Sequence, residues 1–179
     1  MILIVNICKE KLHELEFVKP IEDVLRKNKI LFKTKHYNEI NESEIKRFDK
    51  IIISGTSLKD DQFLENLNKF QWIKLYNKPI LGICGGMHIL VLNFRGILKR
   101  KKEIGIIDVE FKEKFLGMER NKHVYNLHRF YVQSNEFKIL AESDSQIPQA
   151  VKHKTKPLYG TLFHPEVRNK KLIREFLKI

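Results

Sequence analysis

The stretch Pro79-Ile-Leu-Gly-Ile-Cys-Gly-Gly-Met-His-Ile-Leu90 begins with three apolar residues and passes through a glycine-flanked cysteine. It continues with apolar residues at helical spacing: Met87, Leu90, Val91 and Phe94. It predicts a strand, a sharp turn with Cys84 at its apex, and a helix. Such a turn forces its apical residue into a crowded backbone conformation, and glycines on either side leave room for it. The thiol then stands clear of the sheet, and the helix N-terminus behind it favours negative charge. A buried structural cysteine would satisfy the same pattern, because free cysteine commonly behaves as a small hydrophobe. A phosphate loop fits less well, since no Lys-Ser or Lys-Thr pair follows the glycines.

Upstream, three more apolar runs read as strands: Met1 to Ile7, Ile30 to Lys35, and Lys50 to Ser54. Between them, Phe17, Val18, Ile21, Val24 and Leu25 have helical spacing, and this helix is expected to reach Asn28. Asn41-Glu-Ser-Glu44 resembles a capping box before a short helix through Phe48. Phe63, Leu64, Leu67, Phe70, Trp72, Ile73 and Leu75 predict a helix with a broad apolar face. The first half is thus an α/β alternation with short connections, which makes a doubly wound, mostly parallel sheet with helices on both faces. Ligands in such sheets bind beyond the carboxyl ends of the strands, where both Gly55 and Cys84 fall.

After Phe94 the pattern changes to short strands separated by turns: 105–111, 124–132, 137–142, 149–153 and 158–163. This predicts an antiparallel extension in the second half of a single domain spanning 1–179, closed by a helix from Asn169 to Leu177. The basic run Lys99-Arg-Lys-Lys102 is expected in a turn. With 179 residues, 42% of them hydrophobic, the chain can bury one proper core. Two cysteines, Cys8 and Cys84, make no disulfide framework, so a reducing cytoplasm is expected. No apolar run approaches a membrane span. The net charge of +12 comes from lysines spread along the chain and mixed with acids. It therefore reads as a solvated surface rather than a nucleic-acid site, which would need a clustered patch or base-stacking aromatics.

Near the C-terminus, Leu158-Tyr-Gly-Thr-Leu-Phe163 runs into His164-Pro165-Glu166. His164 and Glu166 are two residues apart at a strand end, so the carboxylate can orient the imidazole. A cysteine nucleophile needs such a base, and the base needs an acid to fix its tautomer. Taken alone, His-Pro-Glu would also serve as a turn with a hydrogen-bonded histidine. His88, His123, His128 and His153 match no standard zinc spacing, and neither a metal nor another cofactor is expected.

Gly82-Ile-Cys84-Gly-Gly86-Met-His88 and Gly160-Thr-Leu-Phe163-His164-Pro165-Glu166 resemble the two signature segments of the class I (triad) glutamine amidotransferase domains. Ile53-Ser54-Gly55, Glu103-Ile104-Gly105 and Asn126-Leu127-His128 through Val132 resemble further family segments. The approach from Val151 to Gly160 is similar to the glutaminase part of GMP synthase. The resemblance implies a flavodoxin-like fold and a Cys84-His164-Glu166 triad, with an oxyanion hole from the amides of Gly55 and Gly85. It implies glutamine or another γ-glutamyl compound as substrate, held near His88, Leu127, His128 and Arg129, with ammonia passed to a separate synthetase subunit.

The departures from the family pattern fall on substrate contacts. His88 replaces the elbow's glutamine, Arg129 replaces the glycine after the His128 position, Thr56 replaces the second glycine of a Ser-Gly-Gly turn, and Leu162 replaces another glutamine. An intact triad with altered recognition residues fits a glutaminase whose pocket a partner orders. It also fits a stand-alone γ-glutamyl hydrolase, or a silent domain that regulates a synthetase.

Overall fold

Short aliphatic runs form the central strands, each buried along most of its length: β1 (Ile2–Asn6), β3 (Lys50–Ile53) and β4 (Ile80–Ile83). β2 (Phe32–His36) is only partly buried and carries Lys33 and Lys35, as suits an edge strand that must discourage further pairing. The second half supplies β5 (Ile97–Phe115), β6 (Met118–Gln133), β7 (Phe137–Ser143), β8 (Pro148–His153) and β9 (Leu158–Thr161). In the computed structural model, which describes residues 1–179, all nine strands form one sheet in the order β2-β1-β3-β4-β9-β8-β7-β5-β6. The first five in that order pair in parallel, and the pairings from β9 outward are antiparallel. β9 therefore joins four short parallel strands on one side to four antiparallel strands on the other, β5 and β6 being much the longest.

Two apolar clusters cover the faces of the sheet. One packs Phe17, Ile21 and Leu25 with Phe163, Ile173 and Phe176. The other packs Phe48, Phe70, Ile73, Met87 and Leu90. They contain helices α1 (Lys11–Phe17), α2 (Lys19–Lys27), α5 (Gly85–Asn93) and α6 (Lys171–Lys178). Two expected helices are broken. The one expected from Phe17 is split at Val18, because Pro20 stands in the first turn of α2, where its missing N–H costs nothing. The one expected over 63–75 becomes a single turn, α4 (Gln62–Glu65), then a 3₁₀ stretch, Leu67–Lys74. The reason is the spacing of its largest groups. Phe70, Ile73 and Tyr76 recur every three residues and are all buried, which suits a three-residue turn better than an α-helix.

The Asn41 cap forms, its side chain accepting from Ser43 N at 3.0 Å ahead of α3 (Glu42–Ile45). The capping box does not close, because Glu44 pairs with Lys35 instead. The basic run 99–102 lies inside β5 rather than in a turn. There Lys99 faces Tyr131 and Arg100 faces Phe130 on β6, and the register shifts between Arg100 and Glu103. This end of the hairpin stands in water, so charged side chains cost the strand nothing.

The register of β4 against β9 positions the site. Gly82 lies opposite Gly160 and Ile83 opposite Thr161, and Cys84 N donates to Thr161 O at 2.7 Å. The residues that follow the two strands, Cys84 and His164, therefore emerge side by side although they are far apart in the chain. His164 N donates to Tyr125 O at 2.8 Å, which ties β6 over the same strand ends.

Candidate active site

Cys84 occupies the apex between β4 and α5 with φ 49° and ψ −104°, a region non-glycine residues rarely enter. The turn can be this tight because Gly86 lies against the backbone of β3. A Cβ on Gly86 would come within 2.4 Å of Ile53 O. The thiol is 5% exposed and points to Leu127 O at 3.7 Å.

His164 and Glu166 are both fully buried, with Nδ1 2.6 Å from Glu166 Oε1. Pro165 between them fixes the chain so that both side chains face the same side. Phe17 and Tyr125 flank the imidazole at ring separations of 5.3 and 6.4 Å and keep water from it. Nε2 has no hydrogen-bond partner. Burial acts to lower the His164 pKa, but the Glu166 carboxylate and the Cys84 sulfur outweigh it and hold the pKa well above the usual histidine value. Gly55 completes the cluster: a Cβ there would come within 2.6 Å of His164 Cε1 and 3.4 Å of Cys84 Cβ. Gly85 is the first residue of α5, so its N–H belongs to the turn whose amides have no intrahelical acceptor.

The second cysteine is close but inert. Cys8 Sγ contacts Gly55 O at 3.6 Å, and burial pushes its pKa up to about 12, with Asp60 adding to the rise and the Thr56 contact opposing it. Thr56 itself is pinned, its hydroxyl donating to Asp60 Oδ2 at 2.6 Å. The turn after β3 is thereby held without the second glycine.

In front of Cys84 is a cavity of only about 20 Å³, lined by Phe63, His88, Leu127, His128, Arg129 and the 56–61 loop. The four residues expected at the substrate are thus together. Burial, with His128 nearby, lowers the His88 pKa to about 3 despite its bond to Phe130 O. His88 is therefore a neutral ring, with Nε2 donating to Phe130 O at 3.2 Å. Arg129 pairs with Asp61 across the rim and stacks on Phe130 at 5.0 Å. His123 and His153 lie elsewhere, against Asp108 and in an aromatic cage of Phe94 and Phe137.

Sequence reasoning did not foresee the role of Glu103. Its Oε2 accepts from Gln149 Nε2 (2.7 Å), Asn126 Nδ2 (2.9 Å) and His128 Nε2 (3.1 Å), and its Oε1 accepts from Ser143 Oγ (2.7 Å). Burial raises its pKa, but the hydrogen bonds from His128, Ser143 and Asn126 outweigh this and hold it below the ordinary carboxylate value. One carboxylate thus ties β5, β6, β7 and β8 together behind the pocket wall. Glu103→Ala would strand four donors, two of them fully buried. It should cost on the order of 3 kcal/mol, read as a fall in the urea midpoint at pH 7. Because the folded pKa is depressed, the stabilisation is present above the unfolded value of about 4.3 and fades as pH falls through the folded one. The loss in the variant should shrink in acid accordingly.

A parallel sheet thus brings a cysteine at the strained turn after one strand next to a buried, hydrogen-bonded His-Glu pair at the end of its neighbour. The sequence profile of the family described as Glutamine amidotransferase class-I matches residues 13–178, and the chain belongs to this family. Among relatives, it is 33% identical over 144 residues to a subunit of the glutamine-hydrolysing GMP synthase of Pyrococcus abyssi, covering 72% of this chain and 73% of that one. It is 30% identical over 149 residues to the Thermoplasma acidophilum protein of the same name, covering 79% and 74%. Its fold superposes on a crystal structure of a Thermoplasma acidophilum protein provisionally named as a GMP synthase subunit, with a TM-score of 0.86 at 26% identity, covering 99% of this chain and 93% of that one. A Thermotoga maritima glutamine amidotransferase matches with a TM-score of 0.74 at 18% identity, covering 99% and 81%, and shares the fold. No helix is long and apolar enough to cross a membrane.

Proposed function

We propose that this chain is the glutaminase component of a two-subunit synthetase, and that it releases ammonia from glutamine through Cys84, His164 and Glu166. The carrying observation is the strained Cys84 beside a histidine whose other nitrogen is held by a fully buried carboxylate. His164, whose raised pKa favours the imidazolium, holds the thiol proton, and the sulfur attacks the side-chain amide carbon as the thiolate. The carbonyl electron pair moves onto oxygen, where the N–H groups of Gly55 and Gly85 receive it. As the carbonyl re-forms, the C–N bond breaks and His164 returns its proton to the departing nitrogen, leaving a γ-glutamyl thioester and ammonia. Water deprotonated by His164 then cleaves the thioester, giving glutamate and the free thiol. The names of the relatives favour a GMP-forming synthetase as the ammonia acceptor.

The test is labelling of the intact protein with an electrophilic glutamine analogue, followed by peptide mapping. Cys84 should be alkylated and Cys8 should not, since a thiol whose pKa is near 12 carries almost no thiolate at neutral pH. Equal labelling of both thiols, together with no ammonia release when the chain is mixed with a partner synthetase, would overturn the reading. Turnover of γ-glutamyl peptides but not of glutamine would instead identify a stand-alone hydrolase.

A further inference from the structure

The cavity at Cys84 has room for about one water molecule, so an amino-acid side chain can enter only if the wall opens. Its rim carries two opposite charges. Arg129 on β6 and Asp61 on the loop before α4 are each about one-third exposed, and they are paired with one another. This contact joins the antiparallel half of the sheet to the parallel half across the mouth. The arginine is not saturated, because its Nε has no partner. On the acidic side, the neighbouring Asp60 is buried and its Oδ1 also has no partner.

We propose that Arg129 and Asp61 form a clamp for a zwitterion, which the substrate's α-amino-acid end opens by replacing each partner with its own charge. The α-carboxylate takes the guanidinium, and the α-ammonium takes the acid. This inference rests on the proposed glutaminase reading and names the head group that the site selects. The geometry fits the span required. Leu127 O is 3.7 Å from the sulfur, and Arg129 lies two residues further along the same strand, about 7 Å on. From the side-chain carbonyl carbon of glutamine to its carboxylate carbon is four bonds, about 5 Å extended.

An ion pair one-third open to water is partly screened and gains only modestly. Exchanging it for two charge-assisted bonds to the ligand is therefore favourable, and the fork of arginine suits a carboxylate. His88 cannot do this work, since it is a neutral ring committed to Phe130 O. The clamp therefore selects compounds with both α-groups free and rejects glutamine inside a peptide. It also makes the pocket open in response to its ligand.

The experiment is protection of Cys84 against iodoacetamide, which has no amino-acid head, in the intact chain. L-Glutamine should protect, whereas glutaminamide and N-acetylglutamine should each need about 10- to 100-fold higher concentration, the worth of one charge-assisted bond. Arg129→Gln should weaken protection by glutamine to the level of glutaminamide and leave glutaminamide unchanged. Asp61→Asn should do the same relative to N-acetylglutamine. Both variants should be alkylated by iodoacetamide faster than the parent, because the mouth is no longer bridged. Protection by glutamine that is unaltered in Arg129→Gln, or equal protection by the three ligands in the parent, overturns the clamp. Selective protection without ammonia release supports the clamp and counts against the hydrolytic reading alone.

Discussion

Cys84→Ala should abolish glutamine hydrolysis, lowering kcat by about 10⁴-fold or more, because no other group near His164 can carry the acyl chain. The fold should be retained. Cys84 contributes only a small side chain to the core, and alanine accepts the same turn with similar strain, so the thermal midpoint should move by a few degrees at most. The comparison separates the two meanings of a buried cysteine. A packing residue would show its loss in stability and leave turnover near normal; a nucleophile shows the reverse. The measurement is ammonia release under saturating glutamine with the partner synthetase present, alongside a melting curve.

Glu166→Gln should lower kcat by about 10³- to 10⁴-fold while leaving the shape of the site intact. The amide is isosteric, but it cannot stabilise an imidazolium, and its NH₂ group can turn toward Nδ1 and favour the wrong tautomer. The same substitution removes the main charge holding the His164 pKa above its ordinary value. The sign follows from linkage. A raised folded pKa contributes stability in full below the unfolded value of about 6.5, and that stability is lost as pH rises through the folded value. Urea midpoints of the parent and the variant should therefore differ more at pH 6 than at pH 10. A gap that is constant with pH would mean that His164 is neutral in the folded protein and that Glu166 acts only by shape.

What could be read from the sequence was whatever a short segment must do on its own. The elbow at Gly82 to Gly86 is legible because only glycine tolerates backbone at 2.4 Å, and a cysteine between glycines marks the apex. The contact within His164-Pro-Glu166 is legible because the imidazole and the carboxylate it meets are two residues apart. Pairings made only by the fold left no such trace. Asp61 and Arg129 are 68 residues apart, and neither has a neighbour that announces the other. Glu103 meets Asn126, His128, Ser143 and Gln149 from the strands around it, and each reads alone as an ordinary polar residue. The basic run at 99–102 reads as a turn because charge in a strand is normal only where its surroundings are water. That condition depends on how far the hairpin projects, which no local window contains.

The seam at β9 bears on how such a protein can diversify. Cys84 and His164 follow neighbouring strands of the parallel half, whereas Leu127, His128 and Arg129 come from β6 at the far edge of the antiparallel half. Mutations accumulating in the hairpin can reshape the pocket wall without disturbing Cys84 and His164, whose spacing is set by the β4–β9 register. Arg129 can then vary with the hairpin, whereas His88 is carried by the helix behind Cys84. A library confined to positions 127, 129 and 130, which spares the His128 bond to Glu103, would explore new γ-glutamyl substrates while Cys84 keeps its place.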